Sequence, residues 1–366
     1  MPPIDFAWLE RALALAERAR YTVSPNPMVG AVVVRAGTAV GEGFHRRAGG
    51  PHAEVVALRR AGAAARGADL YLTLEPCVSQ GRTPACAPAV IASGVRRVVV
   101  AATDPNPLVA GRGVRALRRA GLEVVLARAP WRGRALDQNE KFRASIARGW
   151  PFVLAKWAST LDGRIASAKG ESRWITGEAA RRRGLELREE YDAVLVGAGT
   201  VLADDPRLTR RLAKARGLAH WRIVLDGRLR VPESARALRG AGERLVVTAA
   251  SPDHPKARRL SRRGIRVWSL PGRPGGSVDL RRLLVELSRH GVTSLMVEGG
   301  GQTLGSFFES GLVDKVAAFL APRVLGGRGA TGAVGGTGFA LADAPELARA
   351  RVERVGADLL VTGRLA

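Results

Sequence analysis

Two short stretches, HAEVVAL at residues 52–58 and LEPCVSQGRTPAC at residues 74–86, hold the residue pattern that decides the fold of the first part of the chain. They contain both cysteines of the 366-residue sequence, Cys77 and Cys86, and one of its five histidines, His52. One imidazole and two thiolates form a three-ligand set that suits zinc. Three protein ligands leave a fourth position to water, whose pKa zinc lowers to about 7. The pattern therefore predicts a catalytic zinc site.

Glu54 lies two residues after His52 in this pattern. A carboxylate at that position can take a proton from the water and deliver it to the substrate. The order H-x-E followed by P-C is typical of zinc nucleobase deaminases, although the usual C-x-x-C is opened here to C-x8-C. The alternative, two reduced core cysteines beside an incidental surface histidine, does not account for the four residues in this order.

The length of 366 residues predicts two domains, since single cores seldom grow past roughly 250–300 residues. No apolar run approaches the roughly 18 residues that a membrane helix needs, and the charged N-terminus does not suit a signal peptide. Two cysteines in so long a chain argue against a disulfide framework. We therefore expect a cytoplasmic protein.

The formal net charge of +25 raises the question of nucleic-acid binding. Only six of the 58 basic residues are lysine, and the arginines are dispersed with few aromatic residues among them to stack on bases. We interpret the charge mainly as compositional background that also attracts anionic, phosphorylated small molecules. Neither a nucleic-acid nor a membrane partner is predicted.

Apolar strands alternate with helical stretches from one end of the chain to the other, which indicates α/β architecture. A hairpin is predicted at 29–45, and a helix at 135–149 ends at a glycine. The stretch AVLVGAGTV at 193–201 is predicted as a strand. We place the domain boundary after the 135–149 helix, with residues 1–148 in the first domain and 149–366 in the second.

Four stretches, SPNPMVGAVVV (24–34), HRRAGGPHAE (45–54), TLEPCVSQGRTPAC (73–86) and DPNPLVAGRG (104–113), resemble the deaminase half of the bifunctional riboflavin-biosynthesis deaminase/reductase family. The resemblance implies that residues 1–148 form a cytidine-deaminase-like α/β/α domain. It also implies zinc binding by His52, Cys77 and Cys86, with Glu54 as the proton shuttle. The implied substrate-binding residues of this domain are Asn26, His45, Arg82, Asp104 and Asn106.

Several of these residues also have structural explanations. Asn26 lies between two prolines, and Asp104 and Asn106 each precede one, which is equally good turn chemistry. His45 could be a surface residue. Family members usually carry a histidine two residues after the first cysteine, whereas this sequence has Ser79.

In the second part, KWASTLDGRIASAKGESRWIT (156–176), VGAGTVLADDPRLTRR (196–211) and VEGGGQTLGSFF (297–308) stand out. The last stretch follows a strand and opens a helix, where backbone N–H groups can approach a phosphate. Leu304 occupies the final glycine position of a G-x-G-x-x-G pattern, so a dinucleotide-binding Rossmann unit is not supported.

The same three stretches resemble the reductase half of the family, which implies a dihydrofolate-reductase-like α/β domain at 149–366 that uses NADPH. The implied cofactor-binding residues are Ala158, Trp174, Thr200, Asp204, Gly300, Gly301, Gln302, Thr303, Leu304, Gly305 and Ser306. The implied substrate-binding residues are Lys156, Ser172, Arg188, Leu208, Arg211 and Glu298. Arginine is abundant in the whole chain. The alternative for Arg188 and Arg211 is therefore that they only reflect this composition and bind no substrate.

The two halves, in this order, predict a bifunctional enzyme of riboflavin biosynthesis. It would deaminate a diamino-phosphoribosylamino-pyrimidinone by zinc-dependent hydrolysis and then reduce the ribose of the product to its ribityl form with NADPH. The family leads us to expect a homo-oligomer. Two alternatives are a deaminase that acts on nucleic acid and a structural zinc module without catalysis. The C-x8-C loop and the second domain argue against the first, and three ligands instead of four argue against the second.

Overall fold

Alternating strands and helices build two units, Met1–Gly149 and Trp150–Ala366, each around one large sheet. The structure, a computed structural model, describes residues 4–79, 84–214, 218–272 and 276–366. The predicted α/β architecture is confirmed in both units. Within the described residues, no helix has the length and apolar composition that crossing a membrane requires.

The first unit contains a five-stranded sheet in the order β2-β1-β3-β4-β5. The β1–β2 and β1–β3 pairs are antiparallel, and the β3–β4 and β4–β5 pairs are parallel. Its elements are α1 (Ala7–Glu17), β1 (Gly30–Arg35), β2 (Thr38–Phe44), α2 (Ala53–Ala61), β3 (Asp69–Leu74), α3 (Cys86–Ala92), β4 (Arg97–Ala102), α4 (Arg112–Arg119), β5 (Glu123–Leu126), α5 (Trp131–Gln138) and α6 (Glu140–Arg148).

Both faces of this sheet are covered, so its inner strands are apolar at successive positions. Side chains alternate between the faces of a strand. Val33 packs in the cluster with residues of α2, α3 and α4, whereas Val32 and Val34 pack in the cluster with α1 and α5. The result is a three-layer α/β/α unit.

Glycines allow the helices to approach this sheet closely. A Cβ atom at Gly30 would lie 1.9 Å from the Ala12 carbonyl oxygen of α1, and one at Gly43 would lie 2.3 Å from the Ala53 carbonyl oxygen of α2. Any side chain at these positions would push a helix off the sheet. The contact at Gly43 fixes the beginning of α2.

The second unit contains a nine-stranded sheet in the order β11-β10-β9-β8-β12-β6-β13-β16-β15, and a two-stranded sheet of β14 and β7. Its elements are β6 (Phe152–Thr160), β7 (Arg164–Ala166), α7 (Glu178–Glu190), β8 (Ala193–Gly197), α8 (Ala198–Asp204), β9 (Trp221–Leu225), β10 (Glu243–Thr248), α9 (Pro255–Arg262), β11 (Arg266–Ser269), α10 (Leu280–Arg289), β12 (Ser294–Glu298), α11 (Gly301–Glu309), β13 (Lys315–Ala321), β14 (Thr331–Gly332), β15 (Leu347–Val355) and β16 (Asp358–Leu365).

Seven strands of the large sheet run parallel to one another, namely β11, β10, β9, β8, β12, β6 and β13. Beyond β13, the strands β16 and β15 extend the sheet as an antiparallel hairpin. Leucines of α10 and α11 pack in one core cluster with inward residues of these strands. Because parallel strands end at the same sheet edge, the carboxyl ends of β6, β8 and β12 lie side by side. That edge carries Lys156 and Glu298, which are paired in the β6–β12 register.

Two element predictions were wrong in detail. The helix predicted at 135–149 is two helices, α5 and α6, which meet at Asn139. The Asn139 side chain donates to the Met28 and Ala135 carbonyl oxygens and accepts from the Met28 N–H, so it bonds with backbone groups at the helix junction. The strand predicted at 193–201 ends at Gly197, and α8 then buries Val201.

No strand is predicted from the sequence at β15, the exposed strand at the edge of the large sheet. Strand β15 has the sequence LARARVERV, and seven of its nine residues are exposed. A strand whose side chains face solvent does not need an apolar face, so its pattern carries no strand signal.

We expect the Gly30→Ala substitution to destabilise the first unit by about 1–3 kcal/mol, because the new methyl group overlaps the Ala12 carbonyl and overpacks the α1–β1 contact. The measurement is the free energy of unfolding in urea. Gly133→Ala is the control, because Gly133 lies in α5 with nothing within 4 Å of the added Cβ. That variant should match the wild type or gain about 0.5–1 kcal/mol. Equal stability of the two variants would contradict the close approach of α1.

Candidate functional sites

The candidate metal ligands converge at the ends of three elements of the first unit. His52 is the residue before α2, Cys77 follows β3, and Cys86 begins α3. Their ligand atoms all lie within 4.8 Å of one another. His52 Nδ1 is 2.9 Å from Cys86 Sγ and 3.6 Å from Cys77 Sγ. One imidazole nitrogen and two sulfurs at these separations can hold one zinc ion.

The two cysteines are held together by the backbone. The Cys77 carbonyl oxygen accepts hydrogen bonds from the N–H groups of Cys86 and Ala87, both at 3.1 Å. The hydrogen bond from the Cys86 thiol lowers the pKa of Cys77 to about 4, and the same interaction raises the pKa of Cys86. A thiolate at Cys77 is the form that ligates a metal. Ser79 is exposed, and the predicted substrate residue Arg82 lies outside the described residues.

Glu54 lies in the first turn of α2, beside the ligand cluster, and is 3% exposed. Burial raises the pKa of its carboxyl group, and the nearby Cys86 thiol and His52 oppose this shift. Its Oε2 atom has no hydrogen-bond partner in the part of the chain that the structure describes. A buried carboxylate with an open acceptor atom beside a metal site can receive and release a proton.

His45 and Asn26 lie together next to this cluster. His45 is only 2% exposed, which excludes the surface alternative. Its ring packs edge-on against His52, with 4.8 Å between the centroids. The Pro51 carbonyl oxygen is 3.1 Å from His45 Nδ1, which must therefore donate to it. His45 Nε2 then accepts from the Asn26 side-chain amide at 2.9 Å, and burial lowers the pKa of the ring.

Asp104 and Asn106 belong to the loop between β4 and α4. Asp104 Oδ1 accepts from the Asn106 N–H at 2.7 Å. Burial raises the pKa of Asp104 to about 6. The loop is tied to Glu75, which accepts hydrogen bonds from the N–H groups of Asp104, Gly111 and Val114. Glu75 was not identified from the sequence as a residue of this site. A charged residue directly after an apolar strand such as β3 is a pattern that could have indicated it.

In the second unit, three charged residues meet at the carboxyl edge of the sheet. Arg188 of α7 makes a bidentate pair with Glu298 at the end of β12, with Nε–Oε1 and Nη2–Oε2 distances of 2.9 and 2.7 Å. Burial lowers the pKa of Lys156, and Glu298 opposes the shift. Together with Arg188, Lys156 holds the pKa of Glu298 at about 2 despite burial.

The structure also describes the other predicted substrate residues of this unit. Burial lowers the pKa of Arg211, and the nearby cations Arg188, Arg207 and Arg236 lower it further. Such a concentration of positive charge suits a phosphate. Leu208 is 1% exposed. Ser172 donates a hydrogen bond of 2.9 Å to Asp204 Oδ1, so a predicted substrate residue and a predicted cofactor residue are in contact.

The predicted cofactor loop turns from β12 into α11. Gly299 and Gly300 have φ values of +100° and +69°, which favour glycine, and a Cβ atom at Gly300 would lie 2.9 Å from Thr200 Oγ1. Thr303 Oγ1 would lie 3.7 Å from the same Cβ atom and also lies against Gly197. This cradle of backbone N–H groups at a helix start fits a phosphate of NADPH.

The remaining cofactor candidates lie on several elements of the second unit. Trp174 is 63% exposed, with the Arg181 guanidinium 4.5 Å from its ring centroid. Ala158 lies on β6, paired with Phe319 of β13. The other loop residues form the first two turns of α11, namely Gly301, Gln302, Leu304, Gly305 and Ser306.

Comparison with known families supports the class of protein that these sites define. The cytidine and deoxycytidylate deaminase zinc-binding region matches residues 3–102, and the RibD C-terminal domain matches residues 151–361. The chain therefore combines a zinc-binding deaminase fold of the cytidine-deaminase type with a dihydrofolate-reductase-like reductase domain. This confirms the predicted fold classes and the two predicted cofactors, zinc and NADPH.

Full-length relatives identify the family. The chain is 42% identical to the riboflavin biosynthesis protein RibD of Aquifex aeolicus over 98% of both chains, and 40% identical to that of Escherichia coli over 97% and 98%. Among solved structures, RibD of Acinetobacter baumannii superposes with a TM-score of 0.87 at 36% identity, covering 98% of both chains. The chain belongs to the RibD family of bifunctional riboflavin-biosynthesis deaminase/reductases, as the resemblance predicted.

A second structural neighbour carries the two activities in its name. It is the diaminohydroxyphosphoribosylaminopyrimidine deaminase/5-amino-6-(5-phosphoribosylamino)uracil reductase of Thermotoga maritima, with a TM-score of 0.85, 33% identity and 98% coverage of both chains.

His220, beside the charged group of the second unit, makes stability depend on pH. Burial, reinforced by Arg210, lowers its pKa to about 4, and its Nε2 donates to the Leu208 carbonyl oxygen. The stabilisation from the neutral ring is complete above pH ~6.5 and is lost as pH falls towards the folded-state pKa. Between pH ~7 and ~5 the wild type should lose about 2 kcal/mol more unfolding free energy than His220→Gln, which keeps a donor but does not titrate. Equal losses in urea titrations would contradict this.

Proposed function

We propose that residues 1–148 deaminate diaminohydroxyphosphoribosylaminopyrimidine and that residues 149–366 reduce the resulting 5-amino-6-(5-phosphoribosylamino)uracil. The observation that carries the proposal is the buried carboxylate of Glu54, with an open Oε2, beside the cluster of His52, Cys77 and Cys86. The substrate names come from the Thermotoga maritima relative.

In the deaminase site, His52, Cys77 and Cys86 would hold the zinc, which when bound makes water a nucleophile near neutral pH. Glu54 takes one proton from the attacking water on its open oxygen and delivers it to the pyrimidine ring nitrogen. It then takes the second proton from the hydroxyl group now on the ring carbon and delivers it to the exocyclic amino group, which leaves as ammonia while the ring carbonyl forms. The raised pKa of Glu54 supports this exchange, because it keeps the proton affinity of the carboxylate closer to neutral pH.

Other residues of this site bind and orient the substrate in our proposal. Asn26 and His45, which are hydrogen-bonded to each other, contact the pyrimidine together with Asp104 and Asn106. Arg82 binds the phosphate, since a guanidinium matches phosphate geometry.

In the reductase site, NADPH supplies a hydride to the sugar carbon when it is bound. The loop residues Gly300–Ser306 hold the cofactor, with Thr200 beside Gly300, and Ala158, Trp174 and Asp204 contact it as well.

Ser172 and Leu208 contact the substrate next to the cofactor. Lys156 and Glu298 bind the ribose end of the substrate, and Arg188 fixes Glu298 through the bidentate pair. Arg211, which lies near Arg188, Arg207 and Arg236, binds the phosphate.

We also propose a cytoplasmic location and a homo-oligomer. The location is supported by the two free thiols, which form a candidate metal site and no disulfide. The oligomer rests on the family resemblance alone, and size-exclusion chromatography with light scattering would test it.

The direct test incubates the zinc-loaded protein with the diamino substrate and NADPH and follows product masses over time. We expect a deaminated species first and its reduced form second. The Glu54→Gln variant should bind zinc as the wild type does, lose deaminase turnover by about 100-fold or more, and still reduce supplied deaminated intermediate.

Substantial deamination by Glu54→Gln would remove Glu54 from its role. Wild-type protein that reduces the intermediate but does not deaminate the starting compound would indicate a failed first site, with Ser79 as the first residue to change. Neither mass change would refute the proposed activities.

Replacing Arg211 with Gln should raise the reductase KM for the phosphorylated substrate about tenfold, since one cation of the phosphate site is lost. Deamination should not change. Arg258→Gln is the control, because Arg258 is an exposed arginine of the same unit whose partner is Asp253. Similar KM values for both variants would show that total charge, and not position, governs binding.

A further inference from the structure

Glu75 is a buried carboxylate that the chemistry described above does not use. It is 4% exposed and follows directly after β3, two residues before the candidate ligand Cys77. Its backbone N–H donates to the Ala102 carbonyl oxygen at 3.1 Å, which continues the pairing of β3 with β4. The residue is therefore fixed in the backbone at the point where the strand leads into the metal site.

Both carboxylate oxygens of Glu75 bind the loop between β4 and α4. Oε1 accepts from the N–H groups of Asp104 at 2.9 Å and of Gly111 at 2.6 Å, and Oε2 accepts from the Val114 N–H at 3.0 Å. These donors stand at the beginning of the loop, at its end and in the first turn of α4. One side chain thus fixes both ends of the segment that carries Asp104 and Asn106.

The segment is also packed against the backbone of Glu75 and Pro76. A Cβ atom at Gly113 would lie 2.0 Å from the Pro76 carbonyl oxygen and 3.0 Å from Glu75 Oε2, so only glycine allows this approach. Within the loop, Asp104 Oδ1 accepts from Asn106 N–H, and Asn106 Oδ1 accepts from Leu108 N–H. The loop thus has hydrogen bonds of its own, and Glu75 connects it to the segment that carries Cys77.

We propose that Glu75 is the positioning residue of the deaminase site, which aligns the Asp104–Asn106 loop with the metal centre so that the loop receives the pyrimidine substrate. This inference rests on the proposed deaminase function. Glu75 touches neither the metal ligands' donor atoms nor the reacting atoms in this role. It acts through the backbone N–H groups whose hydrogen bonds it accepts.

The test compares Glu75→Gln with Asp69→Asn in the full-length, zinc-loaded protein. A glutamine keeps Oε1 for two of the donors but places an amide N–H group against the Val114 N–H. Asp69 is the matched control: it is a buried carboxylate at the opposite end of β3, bound by Arg96 and Arg97. Both variants remove one buried negative charge from the same strand, but only Glu75→Gln loosens the loop.

We expect Glu75→Gln to raise the deaminase KM about tenfold or more, with kcat reduced about threefold or less and zinc content unchanged. Asp69→Asn should keep the wild-type KM even where it lowers the melting temperature. A wild-type KM in Glu75→Gln, or a loss of kcat and zinc at constant KM, would overturn the proposal. The second of these outcomes would assign Glu75 to the metal centre itself.

Amide hydrogen exchange separates this inference from the proposed function, because it needs no substrate. The amides of Asp104, Gly111 and Val114 should exchange about tenfold or more faster in Glu75→Gln than in the wild type, and unchanged exchange would overturn the proposal. If Glu75→Gln does not fold, Glu75→Asp takes its place. Aspartate keeps the charge but is one methylene shorter, and faster exchange of the same three amides is again the supporting result. An inactive wild type with the expected exchange would refute the deaminase assignment and leave the positioning of the loop standing.

Discussion

The two hydrogen bonds that the Cys77 carbonyl oxygen accepts from the N–H groups of Cys86 and Ala87 are the constraint on which the first site depends. They close the chain between β3 and α3, so that thiols nine residues apart lie within reach of one metal ion. The third candidate ligand, His52, precedes α2, whose beginning is fixed on the sheet by Gly43. The metal site is thus a property of the sheet edge, where the strands end and the helices begin.

Three buried carboxylates in the two units are each held by a set of donors. In the second unit Glu298 is held by Arg188 and Lys156, and Glu189 accepts from the N–H groups of Arg211, Leu212 and Lys214. In the first unit Glu75 accepts three N–H groups of one loop. Burying a charge is costly unless it is paired in this way. Glu54 differs, because one of its oxygens has no partner among the described residues, and a free acceptor is what proton transfer requires.

Much of the fold and of the metal site could be predicted from the sequence. The hairpin of β1 and β2, the strands β3 and β4 and the helix after His52 follow from apolar runs, glycines and turn residues, which act locally. The set of His52, Glu54, Cys77 and Cys86 was identifiable because the chain has only two cysteines and five histidines, and Glu54 completes the H-x-E order. The junction at Asn139 was not, since its side chain bonds to Met28, which is distant in sequence.

The alternation of strands and helices, the chemistry of the candidate metal ligands and, through resemblance to a family, the pair of activities were readable from the residue order alone. The partners of the buried polar residues depend on the tertiary structure. Strand order brings Lys156 beside Glu298, and the loop after β4 reaches Glu75, although these partners are far apart in the chain. The physical reason is that a carboxylate has the same appearance in a sequence whether it faces water or accepts three buried N–H groups. That difference is set by long-range packing.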